Sequence, residues 1–176
     1  VMEKIIVPTV RGMREEGAPF LGFLYAGLMI QNGQPRVVEF NVRFGDPEAE
    51  PILMRLKSDF LELIEAALDG QLSNRITKWD ERAALGVVMS AGGYPGKYEK
   101  GFEITGIKDA ESGIVKVFHA GTADKEGKLV TNGGRVLCVT ALGDTIKDAQ
   151  ENAYKAVKKI HWRDVHYRTD IGWRAL

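Results

Sequence analysis

Residues Glu39–Glu48 read EFNVRFGDPE. The stretch starts like a strand and ends in Asp46-Pro47-Glu48, which reads as a turn into a helix. Successive side chains of a strand point to opposite faces. Glu39, Asn41 and Arg43 are therefore expected on one face, with Val38, Phe40, Val42 and Phe44 on the other, where a core would bury them. On the polar face two oxygen-bearing side chains stand about 7 Å apart along the backbone, close enough for both heads to converge on one hard cation. A carboxylate and a carboxamide suit magnesium or manganese and are poor company for zinc. Arg43 beside them offers a bidentate, always charged fork for a phosphate or carboxylate. Spacing alone favours a plainer account: a half-exposed strand with Glu39 paired to Arg43. The turn has its own plain account, with Asp46 as N-cap, Pro47 at the first helical position and Glu48 set against the helix dipole. A capping aspartate at such a turn can still face a cleft.

Upstream, Phe20–Ile30 is rich in apolar and aromatic residues, and the QNGQP between it and Arg36–Phe44 carries an Asn-Gly turn signal. Together they predict an antiparallel hairpin with Phe20–Ile30 as a buried strand. The apolar residues Ile5, Ile6, Val10 and Met13 predict a helix over Met2–Met13, with Pro8 as a point of bending. Downstream, Pro47–Lys57 and Asp59–Leu68 read as helices, the second stopped at Gly70. Past Trp79 the chain breaks into short apolar runs between glycine-bearing turns: AALGVVMSAGG, EITGI, VKVFHAG, KLVT and RVLCVTALG. These predict a small antiparallel sheet. A last amphipathic helix is expected from about Thr145 to Ile160, with Ala149, Ala153, Ala156, Val157 and Ile160 on its apolar face. The fold class is therefore α+β, divided near residue 78 into parts 1–78 and 79–176.

Twenty-four basic residues balance twenty-four acidic ones, so no global field draws the chain to nucleic acid or to an anionic membrane. The longest apolar stretch, Phe20–Ile30, has eleven residues, too few to span a bilayer as a helix. No secretory signal is read in VMEKIIVPTVRGMREEG. The single cysteine, Cys138, lies in the apolar run VLCVTAL and reads as a small buried hydrophobe, which suits a reducing cytoplasm. A helical pattern already running at the first residue suggests a piece of a longer chain.

EFNVRFGDPE, with GFLYAGLMI before it and LKSDFLELIEAALDGQL after it, resembles the glycinamide ribonucleotide synthetase (phosphoribosylamine–glycine ligase) family. The likeness continues through LGVVMSAGGYPGKYEKG, VFHAGT, VTNGGRVLCVTALGDT and YRTDIGWRAL, and so covers the whole chain. The resemblance implies the second half of an ATP-grasp domain over 1–78, an antiparallel sheet with helices, followed over 79–176 by the family's small β-rich carboxy-terminal domain with a helix. It implies a cytoplasmic ligase of purine biosynthesis, monomeric at full length. Its substrates would be ATP, glycine and 5-phosphoribosylamine, and it would act on neither nucleic acid nor membrane. Glu39 and Asn41 match the family's ligands for Mg2+ or Mn2+. Arg43 matches a contact to the γ-phosphate or acyl phosphate, and Asp46 a contact to a substrate amino group. Many ATP-grasp enzymes carry an acidic ligand on the preceding strand. Here Gly27 stands near that place, which agrees with the synthetases and leaves water and phosphate to complete the metal shell. The resemblance also implies a missing amino-terminal part with the ATP lid, so this chain is expected to be inactive alone.

In TNGGRV, Thr131–Val136, a hairpin turn on Asn132-Gly133 is a sufficient account of the sequence. The resemblance adds a second account, a glycine-rich turn in which Gly133, Gly134 and Arg135 cradle the ribose phosphate. RTDIGWR reads as a tail tied down by Arg-Asp pairs and Trp173, or, by analogy with related ATP-grasp enzymes of purine synthesis, as a segment placing Arg168 and Arg174 on a substrate phosphate. His119 reads as a structural histidine. AGGYPGKYEKG reads as a glycine-rich surface loop with Lys97 and Lys100 solvated, a loop that could also border a substrate cleft. Two rivals stand beside the ligase: a non-catalytic phosphate- or nucleotide-binding module, and a different ATP-grasp enzyme. The second ranks lower because GDPE, TNGGRV and DIGWRAL together resemble the synthetases.

Overall fold

The computed structural model describes residues 1–176 and forms two units, Val1–Asp46 with Ser58–Thr77, and Pro47–Lys57 with Lys78–Leu176. The α+β expectation holds: helices alternate with antiparallel pairings throughout. No helix is long and apolar enough to cross a membrane.

In the first unit a helix opens with one π turn, Met2–Ile6, and continues as α1, Val7–Glu15. Pro8 lacks the N–H that an α turn would use there, and the wider turn lies just before it. Strands β1, Tyr25–Gln31, and β2, Gln34–Asn41, pair antiparallel around Asn32-Gly33. Both turn residues have positive φ, 50° and 71°, as a two-residue type I′ hairpin requires. The expected strand from Phe20 is shorter because β2 ends at Asn41, opposite Tyr25, and leaves residues 20–24 without a ladder partner. Phe23 instead joins Phe44 and Phe60 in a ring cluster with centroids 4.3 to 6.1 Å apart. Helix α3, Phe60–Leu68, is capped by Asp59, whose carboxylate accepts from the amides of Leu61 and Glu62.

The expected apolar face of β2 is corrected by its exposure. Val38 and Val42 are 68% and 71% exposed, and Phe40, Met29 and Ile30 are exposed as well. A two-stranded ribbon cannot cover its own faces, and nothing in this unit lies over that one. Ile5 and Ala66 are the only buried apolar residues of the unit.

The second unit has a core of its own. Central strand β7, Arg135–Gly143, pairs antiparallel with β3, Ala83–Ser90, and with β4, Val115–His119. Helix α5, Ile146–Val157, starts from a capping box between Thr145 and Asp148. Its Ala149, Ala153, Ala156 and Val157 share one core with Val87, Met89, Val117, Val139 and Ala141. Gly143 permits the close turn into α5, since a Cβ there would stand 2.2 Å from the Ala149 amide nitrogen. Cys138 is buried as expected, its sulfur 3.6 Å from the Thr140 hydroxyl.

Three expectations in this unit are corrected. EITGI forms only isolated bridges at Glu103 and Thr105, followed by the short helix α4, Ile107–Ala110. KLVT, as β6, Lys128–Thr131, pairs with β5, Thr122–Lys125, in a separate hairpin. The helix expected from Pro47 is α2, Ala49–Arg55, with Glu48 rather than Asp46 at the N-cap. Pro51 explains the shift. A helix beginning at Pro47 would need its amide, whereas one beginning at Ala49 leaves Pro51 in the first turn, where no N–H is used.

The end of α2 is held by a group that the sequence did not single out. Asp80 is 6% exposed and accepts from the backbone amide, Nε and Nη2 of Arg82 at 2.8 to 3.0 Å. Lys57 Nζ lies 3.5 Å from the same carboxylate. The Asp80 amide donates to the Arg55 carbonyl, and Arg55 Nε donates back to the Asp80 carbonyl. The Arg82 hydrogen bonds, aided by the charges of Arg82 and Lys57, hold the Asp80 carboxyl well below the usual carboxylate range.

Candidate active site

Glu39 and Asn41 end β2 on one face, and Asn41 Nδ2 donates to Glu39 Oε1 at 3.1 Å. The ladder slips between Gly27 and Leu28: Glu39 pairs with Gly27 and Val37 with Leu28, so Val38 is the extra residue of a bulge. Bulges of this kind re-aim the side chains next to them. Gly27 lies directly beside Glu39, and a Cβ there would come within 3.1 Å of Glu39 Cγ. A larger residue at that position would push the carboxylate aside.

Arg43 does not extend the alternation as expected. The strand has ended, and Arg43 sits in a bend where its Nη1 donates to the Phe44 carbonyl at 2.9 Å. Its side chain stays exposed, two residues past Asn41. Asp46 is exposed in the turn that follows. No group of three or more His, Cys, Asp or Glu side chains is arranged to hold a metal. The donor types nevertheless suit a hard, well-hydrated cation: the two heads lie within hydrogen-bond reach, with Asn41 Nδ2 facing Glu39, and an amide turned to present its oxygen would pair with the carboxylate while waters complete the shell.

The second unit carries the other expected residues. TNGG is not a hairpin turn, since β6 and β7 do not pair and neither Asn132 nor Gly133 has positive φ. The glycines are there for close approach. A Cβ on Gly133 would lie 2.9 Å from Gly121 Cα, and one on Gly134 would lie 2.2 Å from the Tyr94 ring. The carbonyl of Gly134 accepts from Ala91, and the Asn132 amide donates to Gly121. The amides of Gly133 and Gly134 donate to no acceptor within the protein, and Arg135 beside them is exposed.

Arg168 makes a forked pair with Asp170 at 2.7 and 2.8 Å, and Arg174 stacks on Trp173 at 5.3 Å. Both arginines line a surface depression of about 320 Å³ with Ile171 and Gly172. Tyr154 fixes this tail, its hydroxyl donating to the Arg168 carbonyl and accepting from the Ile171 amide. His119 Nδ1 lies 3.2 Å from the Thr122 hydroxyl. Tyr94, packed on Gly134, is not singled out by the sequence; it is one of two tyrosines, with Tyr98, in a glycine-rich loop.

Two family models match the chain. Residues 84–174 match the phosphoribosylglycinamide synthetase C domain, and residues 1–49 match the ATP-grasp (A) domain of the same synthetase. The chain belongs to the phosphoribosylglycinamide synthetase family. Glu39, Asn41, Arg43 and Asp46 fall in the A-domain match, and Gly133, Gly134, Arg135, Arg168 and Arg174 in the C-domain match.

Relatives agree with this placement. The chain is 55% identical to a phosphoribosylamine–glycine ligase of Vibrio vulnificus over its whole length, and 58% identical to that of Escherichia coli O157:H7 over 99% of it. A crystal structure of phosphoribosylamine–glycine ligase from Thermotoga maritima superposes with a TM-score of 0.84 at 38% identity, covering 97% of this chain and 42% of that one. The chain spans about two fifths of the curated synthetases it matches, 41% in these cases.

Proposed function

We propose that this chain is the metal- and substrate-holding carboxy-terminal part of a phosphoribosylamine–glycine ligase, with residues 1–78 the second half of an ATP-grasp domain and 79–176 the β-rich domain. The glycine carboxylate attacks the γ-phosphate of ATP, forming glycyl phosphate and releasing ADP. The amine of 5-phosphoribosylamine then attacks the acyl carbon, the amide bond forms, and phosphate leaves. The observation that carries the reading is the contacting Glu39–Asn41 pair at the end of a strand inside the A-domain match.

In this reading Glu39 and Asn41 hold Mg2+ or Mn2+ through oxygen, and the cation supplies neutralisation of phosphate charge. Arg43, free of the strand ladder, reaches the γ-phosphate or acyl phosphate with a bidentate fork. Asp46 accepts a hydrogen bond from a substrate amino group. The unsatisfied amides of Gly133 and Gly134, with Arg135, support a cradle for the ribose phosphate. Arg168 and Arg174 supply further positive charge for a phosphate. The chain is inactive by itself and works in the cytoplasm with the amino-terminal part that its longer relatives carry. It needs neither nucleic acid nor membrane, and the full-length enzyme is a monomer.

Supplying an amino-terminal part, on one chain or as a separate piece, tests the proposal. ADP formation that requires both glycine and 5-phosphoribosylamine is expected. A folded full-length protein with no such turnover, or tight metal-independent ribose phosphate binding with no gain from the added part, would overturn it.

A further inference from the structure

The loop between β3 and α4 approaches the glycine turn at one point. The Tyr94 amide donates to the Ala91 carbonyl, closing a turn directly after β3, and the Ala91 amide donates to the Gly134 carbonyl. The edge of the Tyr94 ring lies where a Gly134 side chain would be, with Cδ2 and Cε2 at 2.2 and 2.5 Å from that Cβ position. Gly134 is thereby buried, whereas Tyr94 keeps 39% of its surface exposed and touches Tyr98 edge-on at 6.2 Å. On the other side Gly133 abuts Gly121, backbone to backbone. The turn is clamped from two sides while its two amides have no internal acceptor.

From this we infer that Tyr94 is a positioning residue for phosphate recognition: its ring fixes the Gly133–Gly134 amides in the orientation that receives the anion. An amide pair held rigid before binding loses less freedom when it captures a ligand, so affinity depends on the clamp as well as on the donors. The ring rather than the hydroxyl does this, because the ring edge makes the contact with Gly134. The inference rests on the reading of TNGGRV as a phosphate cradle.

Amide-resolved NMR titration of this chain with ribose 5-phosphate, and separately with inorganic phosphate, tests it. In the unsubstituted chain both ligands should shift Gly133, Gly134 and Arg135. Tyr94→Ala should weaken both by about five- to tenfold, the loss expected when a preordered turn is released, and Tyr94→Phe should restore the affinity. Gly134→Ala, which drives a Cβ into the ring, should weaken binding as well, and less so in the Tyr94→Ala background, where the obstruction is gone. Absence of shifts at the turn in the unsubstituted chain would overturn the cradle itself and the inference with it. Shifts there with unchanged affinity in Tyr94→Ala would overturn the role of Tyr94 and leave the cradle standing. Should Tyr94→Ala fail to fold, an unchanged affinity in Gly134→Ala would count equally against it.

Discussion

The two units treat their apolar residues in opposite ways. In the second, β3, β7, β4 and α5 close on a single core in which Val87, Val139 and Ala153 have no exposed surface. In the first, Val38, Val42, Met29 and Ile30 stand open on a two-stranded ribbon. A ribbon of two strands is marginal in water, whereas three strands with a helix packed on them support one another. The second unit is organised around a core of its own, whereas the first carries Glu39 and Asn41 on a ribbon whose apolar face is open.

Substitutions can break or sharpen this contrast. The largest effect is expected from Leu137→Ala, which empties a fully buried site and should destabilise the second unit by about 2–5 kcal/mol. Val38→Ala, by contrast, should shift stability by no more than about 0.5 kcal/mol in this chain. Chemical denaturation followed by far-UV circular dichroism, which reads both units, measures both, and equal losses would dissolve the contrast. Asp80→Asn comes next. It leaves Arg82 and Lys57 without their carboxylate, and the melting temperature of the second unit should fall by several degrees.

The same carboxylate sets a pH dependence. Its folded pKa lies below the unfolded value, so its stabilising effect is full above about pH 4 and is lost as pH falls further. Acid titration of the melting temperature should show that loss, and Asp80→Asn should flatten it. A smaller loss than at Leu137 is expected from Thr145→Ala, which removes one side of the α5 capping box and should cost about 1 kcal/mol.

Much of the fold was legible in the sequence, whereas the open face of β2 was not, because alternation marks an apolar face without saying whether anything covers it. The hairpin followed from Asn32-Gly33, and the buried stripe of α5 followed from its alanines, because both signals are local. The polar face of β2 was legible at Glu39 and Asn41 and failed at Arg43, since alternation cannot say where a ladder runs out. The helix at Pro47 failed because Pro51, four residues on, overrode the cap chemistry of Asp46. The plain account of TNGG failed because its glycines serve contacts with Gly121 and Tyr94, far away in sequence. Asp80 was invisible for a similar reason: its burial depends on α2, more than twenty residues upstream.

We propose that Glu39 and Asn41 hold the cation of a phosphoryl-transferring site. This is tested most directly by measuring ADP formation against Mg2+ and Mn2+ concentration in the full-length enzyme carrying Glu39→Gln or Asn41→Ala. A large loss of turnover that higher metal concentration partly restores is expected, with an unchanged melting temperature. Turnover and metal dependence identical to those of the unsubstituted enzyme would contradict it.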